Sequence, residues 1–249
     1  MNYHIDTIPV LDAMKQGGEC PLCAIRRKSE LQQIDRFLGA SVMEPDVRIK
    51  VNAKGFCQNH YRMMFGAKNR LGLGLMLLSH LSDMKKDVDN SLKKAEGGKG
   101  GLFRQKSDDP ASAAAARLRE IGSGCMICEA LDEGMKRYAY TFLHLYQNDS
   151  EFKRLFENGK GVCLQDAALL LEMAPQALSG EKLRAFLAAL HKQVKDNLER
   201  LYGDLEWFTL KFDYRNADKP WNNSRDAVER TINKLEGWCV GEEPNPKDK

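Results

Sequence analysis

The sequence has no long apolar run, no dominant charge and no even set of cysteines. Its most apolar stretch, residues 71–81, is about half the ~20 residues needed to cross a bilayer. It reads as a buried helix segment, and no membrane association is expected. Residues 1–18 contain no basic segment followed by an apolar one, so they do not read as a secretory leader. A net charge of +3 with both signs mixed throughout is too small to argue for nucleic acid. No Ser/His/Asp or HExxH arrangement is present, so no hydrolase signature is found. Gly97, Gly98, Gly100 and Gly101 lack the spacing and the Lys-Ser/Thr ending of a phosphate-binding loop, and no strand precedes them. No period-two pattern of useful length appears, so an all-α, cytoplasmic protein is expected.

With 43% hydrophobic and 29% charged residues, the chain is long enough for one large domain or two small ones. Seven cysteines fit a disulfide framework poorly, and six of them form a pattern that disulfides do not explain. Cys20 and Cys23 make a CxxC pair, followed by Cys57 and His60 in CxxH spacing. Cys125 and Cys128 make a second CxxC, followed by Cys163 and Asp166. The inner cysteines are separated by 33 residues in the first half and 34 in the second. Cys239 stands apart and reads as a free thiol.

More than the cysteines repeats. Glycine precedes each CxxC, and a helical rhythm follows: Leu31, Ile34 and Leu38 in one half, Leu131, Met135, Tyr138, Phe142 and Leu145 in the other. Each half then has a short segment opening on an acid, 44–51 and 149–156, and closes on Lys-Gly, an apolar residue and the next cysteine. This argues for two copies of one supersecondary unit. Long amphipathic helices follow both, with stripes at Leu77, Leu81, Met84, Val88 and Leu92, and from Leu183 to Phe208. Pro175 is expected to break the helix starting near Cys163, Ser179 to cap the next, and a last helix to begin near Ser224 and carry Val228, Ile232 and Leu235. The expected organisation is a first unit over 1–96, a flexible linker over 97–111, a second unit over 112–240 and a disordered tail over 241–249.

Tetrahedral zinc takes sulfur and nitrogen ligands, and a CxxC turn lets two thiolates converge on one ion. A Cys₃His site at Cys20, Cys23, Cys57 and His60 is expected, each distant pair returning to its own knuckle. The second would be Cys125, Cys128 and Cys163 with Asp166, whose oxygen can also ligate zinc. Water, another side chain such as His144, or an empty site are the alternatives to Asp166. Two zinc ions are expected; iron–sulfur clusters also take cysteine, but histidine and aspartate favour zinc. A thioredoxin-like redox role for Cys20-Pro21-Leu22-Cys23 lacks its preceding strand.

Residues 211–223 hold the densest set of functional side chains outside the cysteines. Asp213, Arg215 and Trp221 read either as an interhelix loop tied by an ion pair and an anchor, or as a ligand or partner contact. Met63, Met64, Phe65 and Met76 read as core.

On Glu19–Cys23 (ECPLC), Gly55–His60 (GFCQNH), Gly161–Asp166 (GVCLQD) and Lys211–Asn216 (KFDYRN), the chain resembles an uncharacterised bacterial family of helical proteins with twin CxxC motifs. The resemblance covers nearly the whole chain. It implies a bacterial cytosolic metal-binding scaffold and supplies no activity; the family's second returning pair is often CxxH, from which Asp166 departs. The leading expectation is a non-enzymatic scaffold or adaptor with an unknown protein partner and structural zinc. The alternatives are a metal-dependent or redox enzyme using the Cys₃Asp site or the 211–221 loop, and a nucleic-acid binder using Arg26, Arg27 and Lys28.

Overall fold

The structure is a computed structural model, and it describes residues 6–96 and 109–241. Among them the chain is all-α, with eleven α-helices and no strand. The helices are α1 (Thr7–Gln16), α2 (Pro21–Leu38), α3 (Pro45–Lys54), α4 (Gln58–Gly66), α5 (Arg70–Glu96), α6 (Pro110–Ile121), α7 (Met126–Asn148), α8 (Ser150–Glu157), α9 (Leu164–Ala177), α10 (Gly180–Leu210) and α11 (Ala227–Glu236). Two short 3₁₀ turns, Ala40–Met43 and Tyr214–Asn216, complete the regular structure of the described residues. No helix of the described residues is long and apolar enough to cross a membrane.

Local chemistry sets several helix starts. Asp109 accepts a hydrogen bond from the Ser112 amide and precedes Pro110, which needs no amide partner at the first helical position. Asp149 accepts from the amides of Glu151 and Phe152 at the head of α8. The Cys163 sulfur plays the same part for α9 by accepting from Asp166. Ser179 occupies the cap position of α10 but its side chain makes no capping bond. Pro175 lies within α9, which ends two residues later at Ala177; the proline supplies no amide for the Leu171 carbonyl, and the helix stops within the same turn.

The chain divides into two compact units, and they are not the two sequence halves. One comprises residues 1–28 and 133–249, the other 29–132. Lys28 lies within α2 and Asp132 within α7, so the chain changes unit inside a helix on both occasions. The expected division between 96 and 112 is replaced by this discontinuous one. Residues 97–108 of the expected linker lie outside the described residues, and 109–111 cap and begin α6. Of the expected tail, 242–249 lie outside them too.

The core of the first unit is an aromatic cluster. Phe142 meets Phe152 and Phe156 edge-on, at 4.9 and 5.2 Å between centroids, and Tyr146 meets Phe186 at 5.1 Å. Such edge-to-face pairs add to the burial of the rings themselves. The second unit closes on Phe37, Phe56, Met64, Met76, Ile127 and Leu131, with Phe37 edge-on to Phe56 at 5.2 Å. Met64 and Met76 are thus core, whereas Phe65 is exposed.

Three helix faces differ from the sequence expectation. Helix α5 buries Leu73, Met76 and His80, while Leu77 and Leu81 are exposed and line an open apolar cleft with Met84 and Ile121. Residues 71–81 are apolar on several faces, so periodicity alone does not select the buried one. Helix α10 buries Phe186, Leu190, Gln193, Asn197 and Leu201, a face that shares Leu190 and Leu201 with the expected stripe and has Leu183, Leu187 and Val194 packed along its edge. Helix α11 buries Ala227 and Lys234 and leaves Val228, Ile232 and Leu235 exposed, because it docks through charge, as the metal-type clusters make clear.

Candidate metal centres

Among the described residues, each unit contains one cluster of four side chains of metal-ligating type. In the second unit these are Cys57, His60, Cys125 and Cys128; in the first, Cys20, Cys23, Cys163 and Asp166. Within each cluster the candidate ligand atoms all lie within 4.8 Å of one another. The eight residues singled out in the sequence are therefore the eight brought together, but with the partners exchanged. Each CxxC meets the returning pair of the other half, not its own. The discontinuous units account for this: Cys20 and Cys23 belong to the unit that resumes at 133, and Cys57 to the one that ends at 132.

The first-unit cluster sits at the heads of two helices. Cys20 and Cys23 flank the start of α2, and Cys163 and Asp166 the start of α9. The Asp166 Oδ2 atom lies 3.1 Å from Cys20 Sγ and 3.3 Å from both Cys23 Sγ and Cys163 Sγ. The sulfurs of Cys23 and Cys163 are 3.5 Å apart. A zinc ion with ordinary bond lengths would hold its sulfurs about 3.8 Å apart, and a sulfur and an oxygen or nitrogen about 3.5 Å apart. The cluster has that size. Each sulfur also accepts an amide N–H: Cys20 from Cys23 (3.4 Å), Cys163 from Asp166 (3.4 Å) and Cys23 from Trp238 (3.3 Å).

Two cations support this cluster. Arg26, one turn beyond Cys23 on α2, donates to Asp166 Oδ1 at 3.0 Å, leaving Oδ2 turned to the sulfurs. Lys234 of α11 is 2% exposed, and its Nζ donates to the carbonyls of Glu19 (2.6 Å) and Lys160 (2.7 Å). Those carbonyls belong to the chain segments entering Cys20 and Cys163, so one buried ammonium joins the two turns that carry the cysteines. Glu19 in turn accepts from Arg200 at 2.6 Å. This charged clamp is what seats α11.

Burial raises the pKa of Asp166, the negative charge of Cys163 adds to it, and Arg26 opposes both. Hydrogen bonds from Cys20 and Cys23 draw the Cys163 thiol down to about 2, while burial and the same contacts hold Cys20 up. Without a cation, the buried group concentrates negative charge on one sulfur. A dication would allow all four ligand atoms to be ionised together.

The second-unit cluster is built alike. Cys57 caps α4, His60 lies in its first turn, and Cys125 and Cys128 flank the start of α7. The His60 Nδ1 atom is 3.2 Å from Cys57 Sγ, 3.2 Å from Cys125 Sγ and 3.5 Å from Cys128 Sγ; Cys57 and Cys128 are 3.9 Å apart. The His60 Nε2 atom faces Glu30 Oε1 at 3.1 Å, an arrangement that fixes the ring with Nδ1 toward the sulfurs. Burial opposes the Cys125 thiolate, but the hydrogen bonds of His60 and of the Cys128 and Cys57 amides outweigh it and bring the thiol to about 6. Burial likewise opposes charge on His60, and Cys125 and Glu30 overcome it, raising the imidazole to about 10.

The two turns meet backbone to backbone. The Met126 amide donates to the Gly55 carbonyl at 3.1 Å. A Cβ on Gly124 would come 2.5 Å from the Lys54 carbonyl oxygen, and only glycine permits that approach.

His144 interacts with Asn148 and takes no part in either cluster. Asp213 and Arg215 are brought together, the guanidinium spanning the carboxylate by donating from Nη2 to Oδ2 at 2.6 Å and from Nε to Oδ1 at 3.1 Å. Trp221 packs near Phe208 and Phe212 at 5.9 and 6.3 Å. Lys211 ties the carbonyls of Asn216, Ala217 and Lys219 beneath them. The loop is thus held by its own side chains. Arg26, read in the sequence as part of a basic stretch, points to Asp166, and its signal was its position one turn after Cys23. Lys234 gave no sequence signal, since lysines are rarely buried.

No curated protein and no solved structure matches the chain. Residues 1–242 match the model of a family of unknown function, DUF6062. With a match over nearly its whole length and two four-residue clusters that can hold metal ions, the chain belongs to the DUF6062 family.

Proposed function

We propose that this protein is a cytoplasmic zinc-binding helical scaffold or adaptor, with one structural zinc ion in each unit and no catalysis at either. The observation that carries this reading is the spacing within the clusters, 3.1–3.9 Å between neighbouring ligand atoms, which suits a tetrahedral ion. Zinc is favoured over an iron–sulfur cluster because each set mixes sulfur with a nitrogen or oxygen. A structural role is favoured because the protein supplies four ligands to each ion, leaving no position for water or substrate. Arg26 and Glu30 are the kind of outer partners that orient a ligating carboxylate and imidazole. Zinc bound in this way contributes about 10–16 kcal/mol of apparent binding energy at neutral pH, which adds to the burial of each unit's core.

The sequence repeat fits two copies of one unit that have exchanged their CxxC pairs. Elemental analysis of untagged protein, beside the Asp166→Ala variant, tests the reading. Two zincs per chain, falling to about one in the variant, are expected. Iron, or no metal, overturns the reading and makes the cysteines redox candidates.

A further inference from the structure

We propose that the second-unit cluster is a peroxide-sensitive thiolate centre, in which Cys57 and Cys128 join in a disulfide and expel the zinc ion, while the first-unit cluster withstands the same oxidant. The proposal rests on the zinc reading of both clusters and adds a reactivity to one of them.

Both sets hold three cysteines, with aspartate as the fourth member in the first unit and histidine in the second, and their surroundings differ. In the first unit, Cys20, Cys23 and Cys163 are at most 7% exposed and Asp166 is fully buried. In the second, His60 and Cys125 are buried but Cys57 and Cys128 are half-buried, and these two sulfurs are 3.9 Å apart. A peroxide must touch a thiolate to oxidise it, so access favours the second unit.

Amide hydrogen bonds point the same way. Each sulfur of the first cluster accepts one N–H, from Cys23, Asp166 or Trp238. In the second, the amides of Cys57 and Cys128 both reach Cys125. An N–H donated to a thiolate withdraws electron density and weakens it as a nucleophile. Nearby charge also differs. Two cations, Arg26 and Lys234, support the first cluster. A carboxylate, Glu30, backs the histidine of the second.

The chemistry balances with hydrogen peroxide as oxidant. One of the two half-buried thiolates attacks a peroxide oxygen; an S–O bond forms, the O–O bond breaks and hydroxide leaves. The other thiolate attacks the resulting sulfenyl sulfur; the S–S bond forms, the S–O bond breaks and a second hydroxide leaves. The two sulfurs give up two electrons and the peroxide becomes two waters after protonation. Zinc is left with Cys125 and His60 alone and dissociates.

The test uses full-length protein carrying Cys239→Ser, which removes the exposed seventh thiol, and begins with its zinc content. Hydrogen peroxide is added while a metallochromic indicator follows released zinc, and disulfides are mapped by mass spectrometry. Release of one zinc at least tenfold faster than the other, with a Cys57–Cys128 disulfide and with Cys20, Cys23 and Cys163 still thiols, is expected. Equal release rates, earlier loss of the first-unit thiols, or a disulfide to Cys125 overturn the proposal while leaving two structural zincs in place. Fewer than two zincs before oxidation overturns the zinc reading, and the proposal with it.

Discussion

Replacing Lys234 with methionine removes a buried charge at little change in volume, and the structure sets the size of the effect. The ammonium donates to two carbonyls at 2.6 and 2.7 Å and lies 3.5 Å from a Glu19 oxygen. Burial lowers its pKa and the neighbouring Glu19 carboxylate opposes that shift, so part of what the bonds contribute offsets desolvation. Hydrogen bonds from a charged donor contribute about 1.5–3 kcal/mol each, and an abandoned buried acceptor costs about 1–3 kcal/mol. Breaking a buried ion pair outright costs about 3–5 kcal/mol, but Glu19 keeps Arg200 at 2.6 Å. The net loss is placed at about 2–4 kcal/mol. Urea unfolding of the zinc-loaded protein measures it, and the same variant should release one of its two zincs to a chelator faster, because Lys234 joins the segments entering Cys20 and Cys163. A loss under about 1 kcal/mol with unchanged release would refute the clamp.

Gly124→Ala places a methyl 2.5 Å from the Lys54 carbonyl; the backbone must yield, and a loss of about 1–3 kcal/mol in thermal or urea unfolding is expected, with weaker zinc retention in the second unit only. Tyr146 has its pKa raised above 10 by burial and by its hydrogen bond to Glu157. Its folded pKa exceeds the unfolded one, so its contribution is complete below pH 10 and is lost as pH rises beyond it. Tyr146→Phe should flatten that alkaline fall in a pH series of unfolding midpoints; an unchanged slope would assign the fall to other groups.

The identity of the eight cluster residues was legible because thiolate chemistry demands particular residue types at short spacing. Their grouping was not. After Cys23, helix α2 continues for 15 residues to Leu38, and nothing in its sequence states whether the chain beyond it returns to Cys20 or proceeds elsewhere. Near-equal gaps of 33 and 34 residues suit either arrangement. The helices were legible from periodicity, but their buried faces less so. In α11 the apolar residues Val228, Ile232 and Leu235 are exposed, and Lys234 is buried, because backbone carbonyls and Glu19 lie beneath the helix. Burial of a lysine follows from partners distant in sequence, which no local pattern records. The Asp213–Arg215 pair, two residues apart, was legible for the opposite reason.

Crossed ligation is the central claim, and the zinc content of a Cys20→Ser, Cys163→Ser double variant tests it most directly. Both residues belong to one cluster here, so elemental analysis should find one zinc per chain, retained by Cys57, His60, Cys125 and Cys128. Were each CxxC to close on its own returning pair, the two substitutions would damage both sites, and a chain with no zinc would contradict the account.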